Sequence, residues 1–256
     1  MRSDQIRKAF EAQDVGQFAD RVLAKARPAL RLRTCYDELE DPPLGESRMG
    51  GDPDLPADMP WPENQGRPLE FVAQIDLAAA AGVYALPDLP TSGWICAFCD
   101  LEAFNDSFDD DPRAWQLKYF EGAAASLRRT PHPGEPLEKF DLHEIQFEPE
   151  DSVPDVSDFV SGIPDEEAWD ICEWLNEAIN DSFDDNPVHR LGGYPFLIQG
   201  PRTAAEAQAR SFLLQIASDH DVGCLWGDMG RVYFWITPGD LKARRFERAW
   251  ATFDCY

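Results

Sequence analysis

The chain has 256 residues, 43% of them hydrophobic, with 48 acidic side chains against 23 basic ones and a net charge of −25. That length suits one large domain or two packed halves, burying roughly 70–75% of the unfolded surface. So negative a field excludes nucleic acid and anionic membrane surfaces as natural partners and favours cations or basic proteins; solubility is the other use of the same charge.

The N-terminal stretch MRSDQIRKAFEAQDVGQFADRVLAKA carries charges throughout and lacks the apolar core of an export signal. Ser3 and Asp4 are placed to cap a helix with Ile6 and Phe10 on one face. Gly16 interrupts it, and Phe18, Val22 and Ala26 continue a similar stripe to Pro28. ALRLRT (29–34) alternates leucine with arginine, the pattern of a half-exposed strand. Residues 41–68 hold seven prolines and four glycines and read as loop. EFVAQID (70–76), GWICAFC (93–99) and AWQLKYF (114–120) are aromatic and aliphatic runs separated by turn residues, hence three strands.

Within the second run, Cys96-x-x-Cys99 resembles half a metal site, but residues i and i+3 of a strand face opposite sides. No metal or cofactor is expected. The six scattered cysteines, without an export signal, imply reduced thiols and a cytoplasmic protein. No apolar run approaches the ~20 residues of a membrane helix.

Residues 131–163 are rich in proline and acid, with a possible strand at 142–147. Pro164 fits the first position of a helix whose first turn carries Asp165, Glu166 and Glu167. Its expected buried face is Trp169, Cys172, Leu175 and Ile179. Residues 202–210 read as a short helix, 211–217 and 231–236 as strands, Thr237 with Asp240 as a capping box, and the C-terminus as a closing strand.

Two sets of segments repeat in order. MGGDP (49–53), FVAQI (71–75) and GWICAF (93–98) match LGGYP (191–195), LLQI (213–216) and GRVYFW (230–235). The pattern implies a duplicated unit of a Gly-Gly-x-Pro turn and two strands, and so two related β-sheets. NDSFDDDP (105–112) and NDSFDDNP (180–187) also match, but fall outside that register and lack the glycine and distal glutamate of a calcium loop. They read as acidic turns anchored by Phe108 and Phe183, with a weak cation or partner contact as the alternative.

MGGDPDLPADMPWP, LEFVAQIDL, LPTSGWICAFCD, HRLGGYPFLIQGP and above all LLQIASDHDVGCLWGDMGRVYFWI resemble the two halves of the YwqG-like bacterial family, over residues 45 to the C-terminus. The resemblance implies an α+β fold with two sheet-containing halves and no established activity. Some members of the family sit among toxin–immunity systems, which favours a binding role.

The expected fold is therefore α+β: two duplicated, mainly antiparallel β-sheet halves, N-terminal helices and one long central acidic helix. Residues 1–28 form the helical segment and 29–256 the main domain, with halves 45–130 and 186–256 joined by the acidic linker and helix 131–185. Two functions compete. One is a non-enzymatic acidic protein, immunity-type or other, whose basic partner docks on Asp165, Glu166, Glu167, Asp170, Glu173 and Glu177. The motive is a run of seventeen acidic residues from Glu138 to Asp185, opposed in sequence only by Lys139. The other is an enzyme or small-ligand binder with a cleft between the halves. Its candidates are the matching glutamines Gln74 and Gln215, whose structural reading is as ties to the neighbouring Gly-Gly-x-Pro turns, with Asp76, Asp219, Trp226 and Asp228. The Asp219-His220-Asp221 stretch reads as a solvated loop, and no catalytic constellation stands out.

Overall fold

The computed structural model describes residues 3–35, 42–106, 114–160, 165–180, 187–198 and 210–256. The expected helix at 202–210 and most of both acidic octapeptides, with Phe108 and Phe183, lie outside them.

Helix α1 (Ser3–Ala12) buries Ile6, Ala9 and Phe10, and α2 (Ala19–Leu23) follows a single 3-10 turn at Gly16–Phe18. Strand β1 (Arg27–Cys35) comes next. The proline-rich loop then contributes short pairings: β2 (Arg48–Met49), β3 (Asp54–Pro56), β4 (Glu63–Asn64) and β5 (Arg67–Pro68). Beyond it run β6 (Glu70–Asp76), α3 (Leu77–Val83), β7 (Trp94–Cys99), α4 (Leu101–Asp106), β8 (Trp115–Phe120) and β9 (Leu127–Arg129). The chain continues through β10 (His143–Ser152), α5 (Asp165–Asn180), β11 (His189–Leu191), β12 (Ser211–Ala217) and β13 (Arg231–Ile236). It ends with α6 (Pro238–Lys242), where Thr237 caps the amide of Asp240, and β14 (Trp250–Asp254).

Among the described residues, ten strands form one antiparallel sheet in the order β14-β13-β12-β11-β1-β10-β2-β6-β7-β8. One sheet thus replaces the two expected. The long pair β1–β10 lies at its middle, joining a β2-β6-β7-β8 half to a β11-β12-β13-β14 half. The sheet curls until its ends meet and is nearly barrel-shaped. Tyr119 of β8 lies 4.9 Å from Phe246, just before β14, and Trp115 packs at 4.9 Å on Trp226 and 5.8 Å on Phe234. Apolar side chains from both halves fill one continuous core inside the curl.

Three expectations need correcting. β1 is not half-exposed: Ala29, Leu30, Arg31 and Leu32 are all buried, because its neighbours β10 and β11 place it mid-sheet. The acidic helix spans 16 residues and is not the centrepiece of the fold. It packs with α1 and α2 around a second, separate core of Ile6, Phe10, Val22, Cys172, Leu175 and Ile179. Trp169 leaves that stripe and is 71% exposed.

Candidate functional site

The two matching glutamines stand on β6 and β12, five steps apart along the sheet. Each is wholly buried and held by its own chain. Gln74 Oε1 accepts from the Asp54 amide at 2.8 Å and its Nε2 donates to the Glu46 carbonyl at 3.0 Å. Gln215 Oε1 accepts from the Phe196 amide at 2.8 Å and its Nε2 donates to the Val188 carbonyl at 2.6 Å. Each side chain thus ties a loop of the same span across its strand. A Gly-Gly turn sits in each loop. Gly50 and Gly192 donate to the carbonyls of Val72 and Leu213 at 2.9 and 2.8 Å. Both turns need glycine: at Gly50 (φ +65°) a Cβ would lie 2.1 Å from the Asp141 carbonyl oxygen, and at Gly193 (φ +73°) 2.1 Å from Ser152 Oγ. An identical register shift interrupts β6 at Phe71/Ala73 and β12 at Phe212/Leu214.

An arginine follows each first anchor. Arg48 pairs with the fully buried Asp54, which also receives Arg129 at 2.6 Å and the Gly45 amide at 2.8 Å. The corresponding Arg190 pairs with Glu150 of β10, which also faces Arg31 at 3.3 Å. All three side chains of this second cluster are at most 3% exposed. Burial disfavours the Glu150 carboxylate, but Arg190 and Arg31 outweigh it and hold the carboxyl well below its usual range. Arg31 also donates to the carbonyl of Asn180 and Arg190 to its Oδ1, the latter at 2.7 Å. Asn180 is the last residue of α5, so two guanidinium groups close the negative end of the helix dipole and fix the helix to the sheet.

The other sequence candidates are dispersed. Asp76 caps α3 by accepting from the Ala78 amide at 2.8 Å. Trp226 is fully buried, ringed edge-on by Phe104, Trp115 and Phe140. Asp228 lies exposed in a turn.

Asp219 is not part of a solvated loop: it is 2% exposed and accepts from His189 Nε2 at 3.1 Å, Thr34 Oγ1 at 2.8 Å and two backbone amides. His189 Nδ1 accepts from the Ala217 amide at 3.1 Å, so the imidazole is the neutral tautomer with its proton on Nε2. Burial raises the Asp219 carboxyl, and these donors more than reverse that, leaving it well below the usual range. The arrangement anchors β1 and β11 to the turn after β12, with the Thr34 hydroxyl bonded to the carboxylate. Cys96 and Cys99 face opposite sides of β7, into different core clusters, and burial pushes both thiols far up. Among the described residues no three His, Cys, Asp or Glu side chains gather in a metal-binding group.

Two surface features remain. The first is α5. Glu167, Trp169, Asp170 and Glu173 are exposed, and Glu177 is half-buried; the side chains of Asp165 and Glu166 lie outside the described set. Two carboxylates of the acidic run that precedes the helix are paired across the sheet: Glu148 with Arg33 at 3.2 Å and Glu150 with Arg31 and Arg190. Sequence proximity suggested Lys139 as the sole counter-charge, whereas the opposing arginines arrive from β1 and β11. The second feature is a cleft of about 220 Å³ beside the start of β6, walled by Trp61 and His132 and rimmed by Asp52, Glu138 and Lys139. Sequence reasoning missed it, since its walls come from three loop segments with no shared motif.

A family model described as Domain of unknown function (DUF1963) matches residues 47–255. No curated protein matches the chain. No helix among the described residues is long and apolar enough to cross a membrane.

Proposed function

The chain belongs to the DUF1963 family, and we propose that it is a non-enzymatic binding protein whose basic protein partner docks on the outer face of α5. The observation that carries this reading is Trp169, 71% exposed on α5 with the exposed Glu173 one turn further on. Tryptophan is among the residues most enriched at binding hot spots. Its ring face attracts a guanidinium or ammonium, and the acidic character of the helix strengthens that preference and speeds encounter. The clamp of Arg31 and Arg190 on Asn180 supplies a rigid support for the face. The complete engagement of Gln74 and Gln215 by backbone groups weighs against a ligand site built on them.

The same proposal takes the two halves as copies of one unit, of the YwqG-like type. What supports the duplication is the shared set of contacts: glutamine, Gly-Gly turn, arginine and register shift at matching places. Six free thiols, three of them fully buried, suit a reducing, cytoplasmic setting.

The test is retention of proteins from a lysate on the immobilised chain, at low salt and at ~0.5 M salt. A basic protein is expected to bind wild type at low salt and to be lost in W169A and in E167K/D170K/E173K. Equal retention by wild type and both variants would sink the reading.

A further inference from the structure

We infer that the cleft beside β6 is a binding site for a neutral polyhydroxylated ring of monosaccharide size, packed against Trp61. The volume of about 220 Å³ corresponds to roughly seven waters. That admits one substituted ring and is too small for a dinucleotide or a helix.

The cleft is built before any ligand arrives. Trp61 is partly exposed yet fixed on three sides. Its Nε1 donates to the Leu69 carbonyl at 2.9 Å, Phe98 meets it edge-on at 5.6 Å, and His132 meets it edge-on at 5.3 Å. His132 is itself oriented, because its Nδ1 accepts from the Gly134 amide at 3.1 Å. Glu70, 7% exposed, ties the 131–139 segment to the sheet by accepting from the Leu137 amide at 3.0 Å and, through its other oxygen, from the Leu101 amide at 3.3 Å. An aromatic wall already immobilised loses little conformational entropy on binding.

The rim decides the ligand class. Lys139 pairs with Asp52 at 2.8 Å, and Glu138 lines the same opening. With Glu70 the lining holds three carboxylates and one ammonium, a balance that rejects phosphates and other anions. A bare cation would meet the like charge of the Lys139 ammonium, which already occupies Asp52. Hydroxyl groups satisfy both kinds of partner at once, donating to a carboxylate while accepting from the ammonium. The C–H face of a sugar ring then covers the indole, as apolar surface on an aromatic plane. This site is separate from the α5 face, and either can fail without the other.

The test is saturation-transfer difference NMR on the full chain with methyl α-D-glucopyranoside, methyl β-D-galactopyranoside and N-acetylglucosamine at millimolar concentration. Choline chloride and methyl phosphate, whose methyl protons report binding, are run alongside. At least one sugar is expected to receive saturation, strongest at its ring-face protons. Its dissociation constant should rise about tenfold in W61A, the equivalent of ~1.4 kcal/mol. It should rise about threefold in K139A, whose side chain is half-exposed and whose loss leaves the fold intact. Absence of saturation for all three sugars overturns the inference, as does choline binding in their place. Undiminished saturation in K139A overturns it whatever becomes of W61A.

Discussion

The two glutamine-held loops share a backbone plan and differ in their charges. In the first, the residue whose amide binds the glutamine is Asp54, and its carboxylate neutralises Arg48 within the same loop. In the second, that place is taken by Phe196, which lies under the guanidinium of Arg231 at 4.0 Å and offers Arg190 no counter-charge. Arg190 therefore turns to Glu150 on the central strand, shares it with Arg31, and reaches the end of α5. A carboxylate in one loop and a phenyl ring in the other separate a loop that carries its own counter-charge from one wired to the middle of the sheet and to the acidic helix. Backbone geometry here tolerates a complete change of electrostatic partner, provided each buried arginine finds a carboxylate somewhere.

The difference can be broken most severely at Glu150. E150Q leaves Arg31 and Arg190 enclosed without a full counter-charge and is expected to cost about 3–5 kcal/mol. At ~2–4 °C per kcal/mol for a chain of this size, thermal melting should fall by roughly 10 °C. D54N should cost less, because the Arg129 side chain is 24% exposed and can turn to water. An equal or larger loss in D54N would refute the claim that the second loop is the more deeply wired.

The shared backbone plan is probed next. Q74L and Q215L each leave a buried amide and a carbonyl unpaired and should each cost about 1–3 kcal/mol. With no shared partner and five sheet steps between them, the double variant should add the two losses to within ~0.5 kcal/mol; strong coupling in denaturant titrations would contradict the picture of independent loops.

Acid provides a milder perturbation. The folded carboxyls of Glu150 and Asp219 sit below their ordinary values of 4.5 and 3.8. Their ionised forms therefore stabilise the fold above those values, and the contribution is lost as pH falls below them. D219N should flatten the acid limb of a melting-temperature profile between neutral pH and pH ~3 while keeping some hydrogen bonding to Thr34. An unchanged limb would show that Asp219 does not report folding. The smallest effect is expected at Trp169: W169A should leave the melting temperature within the change of about 0.5 kcal/mol typical of surface sites, even as it removes partner retention.

Much of the sheet was legible in advance. Strands β6, β7, β8, β12 and β13 appear where aromatic and β-branched runs are bounded by turn residues, and α6 begins at its Thr237 cap. The repeated Gly-Gly and Gln positions pointed to structural ties, which the hydrogen bonds display. The roles of Arg31 and Asp219 were hidden. An arginine alternating with leucines resembles a solvent-facing strand, and Asp-His-Asp resembles a wet loop, until β10 and β11 bring Glu150 and His189 alongside. Trp169 misled for a related reason. Helical spacing fixes which side of α5 is apolar, not how far along the helix its neighbours reach.

By itself, then, the sequence determined the local elements, the repeated loop plan and the strongly acidic character, because periodicity, turn chemistry and composition act within a few residues or over the whole chain. Tertiary structure decided that the halves share one curled sheet, that Glu150 serves two arginines, that Trp169 faces water and that three loops enclose the Trp61 cleft. The Glu150 cluster shows why: its arginines lie 40 and 119 residues away in sequence, and Coulombic and packing terms become large only after the backbone has brought such groups together.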